Sequence, residues 1–204
     1  MIRAPRPAAT RVRVMVNPSS DVRPIYTIDA LDRVIFVNAA WIEFIRVEGG
    51  ERPAVRDYIG RSVWELHAGG ETRRLWEVLY DRVRAAGAHA FVPMRADTPS
   101  QRRLIDIELR PLADRSIQHI CDRVWTEARP AVALLDPAWP RDERTLRCCA
   151  WCRCIQVRVG VWEEIEDAHF TLAIEAAETL PSLHAGVCVT CKQAVLKTFP
   201  ARVA

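Results

Sequence analysis

The sequence predicts an α+β fold, an antiparallel sheet with helices on one face, followed by a small four-cysteine domain. Three observations predict it. Two short β-rich runs precede one strongly amphipathic helix, three strand-like runs then follow with only turns between them, and six of the seven cysteines gather after residue 147.

In chain order, residues 25–29 (IYTID) and 33–38 (RVIFVN) read as a pair of strands joined by a hairpin-like connection. Residues 39–45 (AAWIEFI) carry Trp41, Phe44 and Ile45 at helical spacing, with Asn38 placed to cap them. The run ETRRLWEVLYDRVRAAG is the clearest helix. Leu75, Val78, Leu79 and Val83 form its apolar stripe, and Gly87 stops it. Residues 88–96, 102–112 and 116–125 are three strand candidates. In the second, Ile105, Ile107 and Leu109 share one face, and Asp106 and Glu108 are expected to be solvated on the other. The expected division is a flexible basic segment at 1–24, a sheet-and-helix domain at 25–127, a proline-rich linker at 128–147 and a cysteine domain at 148–204.

Composition narrows the function. Half of the 204 residues are apolar and 27% are charged, as in an ordinary globular protein, and no window is apolar enough to span a membrane. The net charge of +3 is spread among interspersed acids and bases, which argues against a nucleic-acid-binding stripe. Only Lys192 and Lys197 break the dominance of arginine among 29 basic residues, a bias associated with GC-rich bacterial genomes. The N-terminal stretch has no apolar core of signal-peptide type, so the expected compartment is the reducing cytoplasm, where CxxC pairs favour metal or redox chemistry over disulfides.

The cysteines fall in CCAWCRC (148–154) and CVTC (188–191). A CxxC knuckle turns two thiolates toward one ion, and two knuckles supply four sulfurs at about 2.3 Å in a closed tetrahedron. Cys149, Cys152, Cys188 and Cys191 are the expected ligands of a structural zinc ion, with no open position for catalysis. An iron–sulfur centre or a thiol switch would use the same residues. Cys148 and Cys154 are alternative ligands, and His184 is either a replacement ligand or a hydrogen-bond donor to a sulfur. Cys121, alone in a strand, reads as core, and Trp151 and Trp162 as packing over the metal turn.

The element order, with Asp29 closing the first strand, Asn38 after the second and IGRSVWELH (59–67) leading to the middle helices, resembles a PAS domain over about residues 25–127. The later run CAWCRCI…W…HAGVCVTC is similar to a zinc-ribbon-like tail that follows PAS or response-regulator domains in bacterial proteins. Cys149, Trp151, Cys152, Ile155, Trp162, His184, Cys188 and Cys191 match it in order, while Ala185–Gly186 and Val189 depart from it. VPMRADTPSQRR (92–103) resembles an R-x-D-x-P-x-x-R-R stretch of proteins with the same layout.

These resemblances imply a non-catalytic bacterial sensory module acting through protein partners, including a second copy of itself. The PAS pocket's ligand is not identified by them. Haem would draw on His67, His89 or His119, and a flavin photoreceptor is excluded because no cysteine precedes Cys121. No phosphate loop, nucleophile elbow or HExxH motif is present, so no catalytic residue is assigned. Arg95, Asp97, Arg102 and Arg103 read as a salt-bridged turn or an anion site. The rival readings are a thiol redox sensor and a nucleic-acid regulator using Arg3, Arg6, Arg11 and Arg13.

Overall fold

A computed structural model describes residues 23–49, 54–65, 70–174 and 177–197. The tail arginines and His67 lie outside the described residues. None of the described helices is long and apolar enough to cross a membrane.

Strands β1 (Ile25–Ile28) and β2 (Val34–Val37) pair antiparallel. Asp29 makes the turn between them, its Oδ1 accepting the Leu31 and Arg33 N–H groups, both at 2.8 Å. Asn38 Oδ1 accepts the N–H of Trp41 at 2.8 Å, capping helix α1 (Ala39–Gly49), and that of Ile25 at 3.0 Å, fastening the helix to β1. The two residues on which the PAS resemblance turned are thus a turn-former and a cap. Two single 3₁₀ turns follow, Val55–Asp57 and Val63–Glu65, the second within the 59–67 stretch expected to lead to the middle helices.

Helix α2 (Gly70–Ala86) ends at Gly87, whose φ of 59° lies in the left-handed region. Its buried face is Leu75, Trp76, Leu79, Tyr80 and Val83. Val78, expected in that stripe, is 36% exposed, because the aromatic rings of Trp76 and Tyr80 take the core-facing width of the helix.

Strands β3 (Ala90–Arg95), β4 (Gln101–Pro111) and β5 (Ile117–Ala128) complete a five-stranded antiparallel sheet of order β2-β1-β5-β4-β3. Ile105, Ile107 and Leu109 bury together with the apolar face of α2, as their alternation predicts. The opposite face departs from expectation. Glu108 is buried, accepts hydrogen bonds from Arg110 and has His89 Nδ1 2.8 Å away, and Asp106 is half-buried, so neither is simply solvated.

The stretch expected to be a linker is structured. Val132 and Leu134 are buried, and Arg141–Cys149 forms strand β6, which crosses the boundary expected at residue 148. Its charge-rich sequence hides it, since only its last two residues are buried. Strands β7 (Ile155–Arg158) and β8 (Val161–Glu163), helix α3 (Ile165–Thr171), strand β9 (Leu180–Gly186) and helix α4 (Val189–Lys197) follow. The second sheet runs β8-β7-β6-β9, and β6 lies parallel to β9. A parallel pair needs a long crossover, here β7, β8 and α3, and this accounts for the wide spacing of the two cysteine knuckles.

The two lobes share a core. Cys149, Trp151, Val187, Cys188 and Val195 belong to the same buried cluster as the first sheet and α2. A smaller cluster, including Leu134, Ile155, Ile165 and Leu180, lies within the second lobe.

Candidate metal centre

Parallel pairing builds the site. Cys149, at the end of β6, is in register with Gly186, at the end of β9, so both strands deliver their knuckles at the same edge of the sheet. Gly186 O accepts the Ala150 N–H at 2.9 Å, locking the two exits together. The first knuckle folds back on itself, with Cys149 N–H donating to Cys154 O at 2.8 Å and Arg153 N–H to Cys149 O at 3.0 Å. The second knuckle runs into α4, and Cys188 occupies the place of a helix cap: its Sγ accepts the Cys191 N–H at 3.4 Å.

The sulfurs of Cys149, Cys152, Cys188 and Cys191 all lie within 4.8 Å of one another, two buried and two half-buried. Metal–sulfur bonds of about 2.3 Å in a tetrahedron require sulfur–sulfur edges of about 3.8 Å. Cys152 Sγ and Cys188 Sγ stand 3.8 Å apart. Cys149 Sγ also accepts the Cys188 N–H at 3.4 Å, a bond that favours thiolate over thiol. Donation from the thiols of Cys149, Cys154 and Cys191 pulls Cys152 far down, while Cys152 in turn pushes Cys149 up to about 11. The donor set fits a soft tetrahedral cation, zinc or iron, which could be held by all four.

The other candidates are placed elsewhere. Cys148 is buried, its Sγ against the carbonyls of Cys149 and Arg153; burial pushes its thiol up, opposed by the Arg153 guanidinium. Cys154 Sγ faces Glu164 Oε1 at 3.9 Å. His184 is exposed on β9 opposite Arg147, and is not part of the four-sulfur group. Cys121 is buried in β5, and burial pushes its thiol up to about 12. Among the haem-ligand candidates, His89 is half-exposed and 2.8 Å from Glu108, while His119 is buried, hydrogen-bonded to Tyr80 at 3.0 Å and stacked on Tyr26.

Trp151 shares a buried cluster with Cys149 and Cys188. Its ring crosses to α2 and stacks on Trp76 at 5.5 Å. Trp162 is half-buried beneath the Arg147 guanidinium, which also pairs with Glu71 of α2 at 2.6 Å. Arg95 N–H donates to Trp151 O at 2.7 Å, joining β3 directly to the first knuckle.

The R-x-D-x-P-x-x-R-R stretch forms a clasp between the lobes. Asp97, with no exposed side-chain surface, pairs with Arg95 and, at 3.2 Å, with Arg129. Arg129 and Arg102 then converge on Glu166 of α3, at 2.7 and 2.8 Å. Burial works against the Glu166 charge, but donation from Arg102 and Arg129 outweighs it and holds the carboxyl at about 2. Of the two readings the sequence left open, the salt-bridged turn is the one observed. Neither Arg129 nor Glu166 carries a sequence signal that marks it as part of this clasp.

No family model matches the chain, and no curated protein does. Among solved structures, the PAS domain of Bordetella pertussis BvgS aligns at 17% identity with a TM-score of 0.35, covering 50% of this chain and 72% of that one. So loose a superposition carries no argument; what the structure shows is a mixed α+β chain with a five-stranded antiparallel sheet and a cysteine cluster able to hold a metal.

Proposed function

We propose that this chain is a non-catalytic regulatory module of bacterial cytoplasmic signalling, in which a PAS-like sensory lobe is coupled to a structural zinc site and acts through protein–protein contacts. The observation that carries the reading is the convergence of four sulfurs at the ends of two parallel strands, with Cys149 and Cys188 in the buried cluster that also contains the sheet and α2, and Cys152 and Cys191 packed against it. A four-thiolate site has no vacant position for a substrate, so its contribution is to folding and to the rigidity of the seam. In this reading a change in the sensory lobe reaches the second lobe through shared side chains, and a partner reads the combined surface.

The test is the metal content and visible spectrum of protein purified without added metal. One zinc per chain and no visible absorption is the expected result. Iron with a coloured spectrum would replace the structural role with a redox or gas-sensing one. Protein that is folded and free of metal would sink the proposal.

A further inference from the structure

Three of the seven cysteines stand outside the four-sulfur group, and one of them touches it. Cys121 is buried in β5, and Cys148 is buried with its Sγ against two carbonyls. Cys154 is half-buried, and its thiol donates to the sulfur of Cys152, one of the four. Cys152 is half-buried as well, so solvent reaches both residues.

The backbone brings this pair together. Two residues apart on an extended chain, Cα atoms are separated by about 6.6 Å, near the upper limit of what a disulfide spans. Between Cys152 and Cys154 stands Arg153, whose φ of 65° lies in the left-handed region and shortens that separation. The turn is also fastened to the first ligand. Cys149 N–H donates to Cys154 O at 2.8 Å, and Arg153 N–H donates to Cys149 O at 3.0 Å. The knuckle that places the ligands therefore places the fifth thiol too.

A metal-ligating cysteine is a thiolate, the form that hydroperoxides oxidise. A thiol in contact with that sulfur stands where it can resolve the sulfenic acid that results.

We propose that Cys154 is the resolving thiol of a peroxide-sensitive switch at the metal site, and that it forms a disulfide with Cys152. The inference rests on the zinc reading above and adds a chemical signal to it. In the first step the Cys152 thiolate attacks one oxygen of hydrogen peroxide; the S–O bond forms, the O–O bond breaks and hydroxide leaves. The Cys154 sulfur then attacks the Cys152 sulfenic acid; the S–S bond forms, the S–O bond breaks, and the thiol proton departs with the hydroxyl as water. Two sulfurs lose two electrons between them and the peroxide gains both. Three sulfurs are too few to close the site, so the metal is released. The knuckle that loosens carries Trp151, which is stacked on Trp76 of α2, so the signal is delivered to the seam between the lobes.

The test is exposure of the full, zinc-loaded chain to hydrogen peroxide, with released zinc read by a chromogenic indicator and the alkylated, unreduced protein digested with trypsin. Cleavage after Arg147, Arg153 and Arg158 separates CCAWCR from CIQVR. A bond from Cys152 to Cys154 keeps these peptides joined, and fragmentation locates it. The expected result is zinc release in step with the joined peptides, both reversed by dithiothreitol and fresh zinc. Cys154→Ser keeps all four ligands, so it should hold zinc like the parent. Once oxidised it should not recover zinc on reduction, because an unresolved sulfenic acid goes on to the irreversible sulfinic acid. Zinc released while the peptides stay separate, a bond located at Cys148 or Cys149, or full recovery by Cys154→Ser would each overturn the proposal. So would loss of zinc from unoxidised Cys154→Ser, which would make Cys154 a ligand. Zinc-loaded protein that resists peroxide sinks the switch and spares the zinc reading. Protein purified without zinc that still joins the two peptides sinks the zinc reading and supports the thiol pair.

Discussion

Asp106 and Asp122 stand directly opposite each other on β4 and β5. Asp122 is matched by Arg23 at 3.2 Å, whereas Asp106 Oδ1 is buried without a partner. Burial first, then the charges of Asp122 and Glu108, raise the Asp106 carboxyl. A raised carboxyl binds its proton more tightly in the folded state, so its contribution to stability is present at low pH and is lost as pH rises through its folded value. Asp106→Asn should therefore stabilise the protein at pH 7 by about 0.5 kcal/mol, a gap that closes near pH 3 in urea titrations. Glu166 is the opposite case. Held at about 2, it stabilises the seam above the ordinary glutamate range, and that contribution drains away as pH falls toward its folded value. Glu166→Gln should cost about 2 kcal/mol at pH 7 and converge on the parent near pH 2. Neither carboxylate could be read this way in sequence, where alternation shows which face a residue occupies but not what covers that face.

At the scale of elements, Trp76 on α2 and Trp151 in the first knuckle stack across the seam, with Trp76 only 2% exposed. Trp76→Ala should cost about 3–5 kcal/mol. A double-mutant cycle with Trp151→Ala should return a coupling of about 0.5–1.5 kcal/mol, whereas additive losses would mean the rings merely share a neighbourhood. The elements themselves were unevenly legible. Residues 102–112 announced β4 by strict alternation, and the knuckles announced themselves by spacing. Strand β6 did not, because RDERTLRCC is mostly exposed and pairs on one side with a strand more than thirty residues away. Periodicity reports burial, and a strand buried only at its end offers it little.

At the scale of the whole molecule, the first sheet, α2 and both knuckles share one buried cluster, so the lobes should unfold together. Heat or urea should give a single transition by circular dichroism and tryptophan fluorescence. A strong chelator should shift that whole transition downward and move the emission to the red, because Trp76 and Trp151 are packed against residues of the metal lobe. Two separate transitions would contradict a shared core. The parallel register of β6 and β9 has a further consequence for synthesis. The first knuckle leaves the ribosome with its partner strand still unmade, and at about 5–20 residues per second the second follows seconds later. Until then α2 lacks the cover of Val187 and Val195, and the nascent chain keeps apolar surface available to chaperones. Metal capture by all four sulfurs is thus a late event, and a chain stopped short of Cys188 would be marked as incomplete by the surface it still exposes.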